Sequence, residues 1–130
     1  MDRRAEKSDL LARCHELEIR LIAYSPLAMG LLTGKYTVDS PPPGTRGRRY
    51  ASLLPKLPPL LKLMTEIGQD QVGKSNAQIA LKWLICKETM PIPGAKNAKQ
   101  AEQNAGALGW RLTDDQVAAL DEASEEFAKE

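Results

Sequence analysis

With 130 residues the chain has room for one domain, and its 42% hydrophobic and 27% charged content is ordinary for a soluble globular protein. A formal net charge of +1 excludes the strong overall field on which nucleic-acid or membrane-surface binding relies. The longest apolar stretch, residues 79–86, is interrupted by Lys82 and too short to span a bilayer. Met1-Asp2-Arg3-Arg4 leads straight into an amphipathic pattern, so no secretory leader is expected. Cys14 and Cys86 have no metal or redox spacing and are expected as buried free thiols in a reducing compartment, with no metal site.

In chain order, Leu10, Leu11, Cys14 and Leu17 form one stripe of a helix over residues 4–17. The lone histidine, His15, has no partner at a useful spacing and is expected at the surface. The apolar run Ile19 to Ala23 reads as a short strand that breaks at Tyr24, because Ser25-Pro26 cannot continue a central ladder. Leu27-Ala28-Met29-Gly30 follows as a small-residue loop, with Gly30 free to bend or to approach a ligand closely.

Pro41-Pro42-Pro43 fixes an extended loop, and Pro55, Pro58 and Pro59 restrict residues 47–59 to broken turns. A helix is expected over Leu60 to Ile67, stopping at Gly68. Ser75-Asn76-Ala77-Gln78 matches a capping box for a helix over 76–87, whose wide apolar face should pack on a sheet. Thr89 to Ile92 is a second short strand, ended by Pro93-Gly94. Asn97 and Gln100 read as another capping box, and Thr113-Asp114-Asp115-Gln116 opens a last helix with Val117, Leu120 and Phe127 inward. Two strands separated by a helical crossover should be parallel neighbours.

That arrangement places a candidate site at the ends of the two strands, where α/β proteins bind ligands. Lys96 stands before a helix N-terminus, with Gln100 and Asn104 at the fourth and eighth positions after it, so a phosphate is a natural guest. A solvated lysine ahead of a capped helix explains the same residues equally well.

The two stretches taken together, AYSPLAMGLLTGKY from Ala23 to Tyr36 and MPIPGAKNAKQAEQNAGAL from Met90 to Leu108, resemble the cofactor-binding end of the aldo-keto reductases. The resemblance runs from about Asp2 to Phe127. It implies an α/β fold that is part of a TIM (β/α)8 barrel, consisting of its last two βα units and C-terminal helix, with residues 1–130 forming one cofactor-binding part. NADP(H) is the implied cofactor.

By resemblance, Tyr24 stacks on the nicotinamide, and Ser25, Pro26, Leu27, Ala28 and Gly30 wrap the pyrophosphate. Lys35 matches a lysine that family members place on the cofactor, and Arg46 matches an arginine that helps close the loop over it, which makes the proline-rich segment a clasp. Gly94, Lys96, Gln100 and Asn104 fall on positions that read the adenosine 2′-phosphate, and Gln103 stands where many members have an adenine-contacting glutamate. A cation beside the 2′-phosphate selects NADPH over NADH.

The family's Asp-Tyr-Lys-His tetrad has no counterpart here: Tyr24, Tyr36, Tyr50 and His15 do not match it, so no catalytic residue is assigned. The implied whole enzyme passes hydride from NADPH to an aldehyde or ketone, while this chain alone is not expected to catalyse. The alternatives are a non-catalytic nucleotide-binding or partner-complementing module, and an inactive remnant. Two strands cannot close a barrel, so the chain is expected to be marginally stable, to self-associate or to depend on a chain that supplies the missing half. No nucleic-acid or membrane partner is expected. The expected compartment is the cytoplasm, with the plastid as the alternative.

Overall fold

The longest helix begins at prolines that would break the middle of one. The computed structural model of the protein describes residues 4–127, apart from the side chain of Glu126. In it, α4 spans Leu57–Asp70. Pro58 and Pro59 occupy its first turn, where backbone N–H groups have no helical partner in any case. Leu57, Leu60, Met64 and Ile67 are buried along one face. Gly68, expected as the stop, lies inside the helix and is buried. A Cβ there would stand 2.2 Å from the Lys74 carbonyl oxygen. The Gly68 carbonyl accepts from the Gly73 and Lys74 N–H groups at 3.0 and 2.9 Å, which folds the chain back. This glycine serves close approach, and the helix ends two residues later, at Asp70.

The returning chain enters α5, Asn76–Cys86, through the expected capping box. The Gln78 N–H donates to Ser75 Oγ at 3.3 Å, and the Ser75 N–H donates to Gln78 Oε1 at 3.0 Å. Helix α5 buries Ile79, Ala80, Leu81 and Trp83 and packs on α4. The last helix, α7, spans Asp114–Ser124 and has its own capping box between Thr113 and Gln116. It buries Leu120, and the 3-10 turn Glu125–Phe127 brings Phe127 into the same core, with Val117 packed against it. Lys87 clasps these layers from below, at 2.8 Å from Asp121 and 3.2 Å from Glu6, and Trp83 Nε1 donates to Asp121 at 2.8 Å.

The sheet has two parallel strands, β1 (Ile22–Tyr24) and β2 (Met90–Ile92), paired Ile22 to Met90, Ala23 to Pro91 and Tyr24 to Ile92. Both are shorter than expected, and β1 lies further along the chain, with Tyr24 inside it. The cause is local. Glu18 takes a left-handed φ of 56°, and the Ile19 N–H donates to the Cys14 carbonyl at 2.8 Å, so residues 17–19 complete the preceding helix end.

That preceding helix is also interrupted. Asp9, at φ 57°, separates α1 (Arg4–Lys7) from α2 (Leu10–Glu16). The predicted stripe is not buried, with Leu10 51% and Leu17 64% exposed. Leu10 and Leu11 border a largely apolar cavity of about 590 Å3 that also touches β1, α4 and α5. Cys14 and Cys86 are half-buried, not buried as expected, and neither forms a disulfide. His15 is at the surface, and the fold brings Glu88 to 3.5 Å from its Nε2.

Between β1 and α4 the chain makes a 3-10 segment, Ala28–Thr33, and a short helix α3, Thr45–Arg49. The proline run is outside any helix or strand ahead of α3 and lies close to it. Pro42 is buried, and a Cβ at Gly47 would meet its carbonyl oxygen at 2.5 Å. Helix α6, Ala98–Ala105, follows β2.

Candidate functional site

Because β1 and β2 are parallel and paired Tyr24 to Ile92, the loops that follow them leave the sheet at the same end. The first loop is tightly wound. Ser25, Ala28 and Met29 have φ of 50°, 49° and 57°, and Gly30 has 96°. Left-handed backbone costs about 1–2 kcal/mol at each non-glycine residue, so this loop needs anchors to hold it. Leu31 and Leu32, only 3% and 1% exposed, supply them from the core, while Leu27 and Ala28 pack on its edge. The loop closes on itself through Ala28 N–H to the Ser25 carbonyl (2.9 Å) and Gly30 N–H to the Leu27 carbonyl (3.0 Å). Gly30 requires its residue type twice over: its φ is left-handed, and an added Cβ would stand 3.2 Å from the Tyr36 ring.

Tyr24 is 75% exposed, so its ring is available for stacking at the strand end. Pro26 is half-buried and Ser25 exposed. Lys35 is exposed, with Nζ 5.4 Å from the centre of the Tyr36 ring. Arg46 is exposed on α3. Among the described residues no hydrogen bond or ion pair links Lys35 or Arg46 to the second loop.

The second loop, residues 93–97, is fastened to α6 by side chains. The Gln100 N–H donates to Asn97 Oδ1 at 2.9 Å, which caps the helix. The expected reciprocal bond to the Asn97 N–H is replaced. Gln100 Oε1 accepts from the Lys96 N–H instead, at 2.8 Å, one residue earlier, because Asn97 lies fully extended at φ −154°. Asn104 Nδ2 donates to the Gly94 carbonyl at 3.3 Å. Lys96 and Gln100 are exposed, and Lys96 has no ion pair among the described residues. Gly94 has open space around it: an added Cβ meets nothing within 4 Å, and its φ is not left-handed.

Gln78 is a supporting residue that its capping signal does not single out. Besides the capping box, its Nε2 donates to the Gln103 carbonyl at 3.0 Å, bridging the start of α5 to α6. Gly106 leaves room for it, since a Cβ there would lie 2.2 Å from Gln78 Nε2. The capping pattern is legible in the sequence, but the second bond spans 25 residues and is not. No cluster of His, Cys, Asp and Glu suited to a metal occurs among the described residues. The arrangement offers an anion a free ammonium ahead of a helix N-terminus, and offers a planar ring the exposed face of Tyr24.

Comparisons with known proteins identify the family. The model of the aldo/keto reductase family matches residues 1–125. The chain is 46% identical over 124 residues to the chloroplastic pyridoxal reductase of Arabidopsis thaliana, covering 95% of this chain and 34% of the relative. It is 38% identical over 119 residues to the L-glyceraldehyde 3-phosphate reductase of Escherichia coli K12, covering 83% of this chain and 34% of that one. Among solved structures, the glycerol dehydrogenase of Gluconobacter oxydans superposes with a TM-score of 0.83 at 25% identity, over 96% of this chain and 39% of that one. An aldo-keto reductase of Bombyx mori in complex with NADP gives 0.59 at 29% identity, over 88% of this chain and 32% of that one. The chain thus spans about a third of the length of the relatives it matches. These solved neighbours are TIM barrels, and the chain is an α/β portion of that architecture. The match of the family model along nearly its whole length shows that the chain belongs to the aldo/keto reductase family.

Proposed function

We propose that this chain is the NADP(H)-binding portion of an aldo-keto reductase, built from the last two βα units of the barrel and the C-terminal helix. Tyr24 stacks on the nicotinamide, residues 25–28 with Gly30 hold the pyrophosphate, and Lys96 faces the 2′-phosphate. Lys35 and Arg46 close over the cofactor from the proline-rich side, and Gln100, Gln103 and Asn104 line its adenosine end. The observation that carries this reading is Lys96: an exposed cation without an ion pair among the described residues, beside a glycine with open space around it. The NADP-bound Bombyx relative supports the same cofactor.

The whole protein, on this reading, reduces an aldehyde or ketone by hydride transfer from NADPH, as the reductase names of the relatives suggest. The chain alone is not catalytic, because the tetrad's tyrosine, lysine, histidine and aspartate have no match in it. The cytoplasm is the proposed compartment, and the chloroplastic relative favours the plastid as its alternative. A fluorescent fusion of the full-length gene product decides between them.

The test is a thermal melt with NADPH, with NADH and with neither. A ligand that binds only the folded state stabilises it, by about 2.7 kcal/mol at a hundredfold excess over Kd. NADPH should raise the midpoint and NADH should not, and Lys96→Ala should abolish the difference. A melt indifferent to both cofactors overturns the reading.

One observation favours a second reading, a module that complements a partner chain or a second copy. The sheet face formed by Ile22, Tyr24, Met90 and Ile92 is 51–75% exposed, an apolar surface of the kind that parallel sheets normally cover. Sedimentation of the purified chain separates the two, since a monomer that binds NADPH unaided needs no such partner.

A further inference from the structure

Gln100 and Asn104 use their side chains inside the chain, and this changes what they do. Here Gln100 Oε1 accepts the Lys96 N–H at 2.8 Å, while the Gln100 N–H is itself held by Asn97 Oδ1 at 2.9 Å. Asn104, one turn further along α6, donates through Nδ2 to the Gly94 carbonyl at 3.3 Å. Loop residues 94, 96 and 97 are thus each tied to α6 by a separate side chain. The loop packs on little else: Gly94, Lys96 and Asn97 are all exposed, and a Cβ on Gly94 meets nothing within 4 Å. These hydrogen bonds therefore decide where the Lys96 backbone, and with it the ammonium, stands.

We infer that Gln100 and Asn104 are positioning residues, which clamp the 94–97 loop onto α6 and set the place of Lys96 before any cofactor arrives. The inference rests on the NADP(H) reading above and refines it. Selection for the 2′-phosphate is carried by Lys96, and Gln100 acts through it. A preformed loop loses less freedom on binding, which raises affinity without adding a contact.

The experiment compares Gln100→Met with Gln100→Glu in the full chain. Methionine keeps the length and removes the acceptor; glutamate keeps the acceptor and removes the amide donor. Amide hydrogen exchange at Lys96, read by NMR without cofactor, should accelerate several-fold to about tenfold in Gln100→Met, the worth of one hydrogen bond. It should stay at the wild-type rate in Gln100→Glu. The Gln100 amide, capped by Asn97, serves as an internal control for local folding. In titrations, Gln100→Met should lower NADPH affinity by a similar factor.

Equal Lys96 exchange in wild type and Gln100→Met overturns the clamp. Faster exchange with an unchanged preference for NADPH overturns its role in selection. Failure of the wild-type chain to bind either cofactor strikes the NADP(H) reading, and the cofactor-free exchange rates still judge the clamp by themselves.

Discussion

The helical layer and the sheet of this chain are unequally built. In the α4–α5–α7 layer, Leu60, Met64, Ile79 and Leu120 are at most 2% exposed. In the sheet, by contrast, each strand has three residues, and the four side chains Ile22, Tyr24, Met90 and Ile92 are more than half exposed. Beneath β1 lies a cavity of about 590 Å3. The candidate cofactor loops grow from the loosely covered sheet yet are anchored elsewhere: the first through Leu31 and Leu32 in the helical core, the second through side chains of α6. The well-buried core and the candidate cofactor loops therefore belong to different parts of the molecule.

The largest expected effect tests the helical side. Leu60→Ala removes a side chain 1% exposed and should cost about 2–5 kcal/mol in urea unfolding. Next comes the clasp beneath the layers. Asp121→Ala leaves Trp83 Nε1 and Lys87 without a shared acceptor and should cost about 1–3 kcal/mol, read as a lowered thermal midpoint. Removing a cap by Ser75→Ala should cost about 1 kcal/mol and also loosen the tie from Gln78 to the Gln103 carbonyl, seen as faster exchange near α6.

The sheet side should respond least. Ile92→Ser, at a position 52% exposed, should change stability by about 0.5 kcal/mol or less in a monomer. A loss as large as that of Leu60→Ala would show that this face is covered in solution and would erase the contrast. Smaller still is Gly94→Ala, which should leave the midpoint unchanged, since its Cβ meets nothing within 4 Å. If the open space is where the cofactor passes, the same substitution should weaken NADPH binding. Equal binding would remove Gly94 from the site.

Several helix starts could be read directly because their signals are local. Ser75 with Gln78 and Thr113 with Gln116 specify helix starts within four residues, and both capping boxes form. Asn97 with Gln100 carries the same pattern, but only half of it forms, because the backbone at Asn97 offers the glutamine a different N–H. Gly68 shows the other limit: as a residue type it signals a helix end, and only the Lys74 carbonyl pressed against it gives its place inside one.

The amino-acid order alone determined the starts of the two helices with complete capping boxes, the two parallel strands and the family, because capping and motif spacing act over a few neighbours. Tertiary structure decided the rest. It left the stripe of Leu10 and Leu17 in solvent, shifted β1 to Tyr24, joined Gln78 to Gln103 and turned Gln100 back onto Lys96. Each of these depends on which groups meet across space, and a hydrogen-bonding side chain takes the partner that the folded backbone brings within reach.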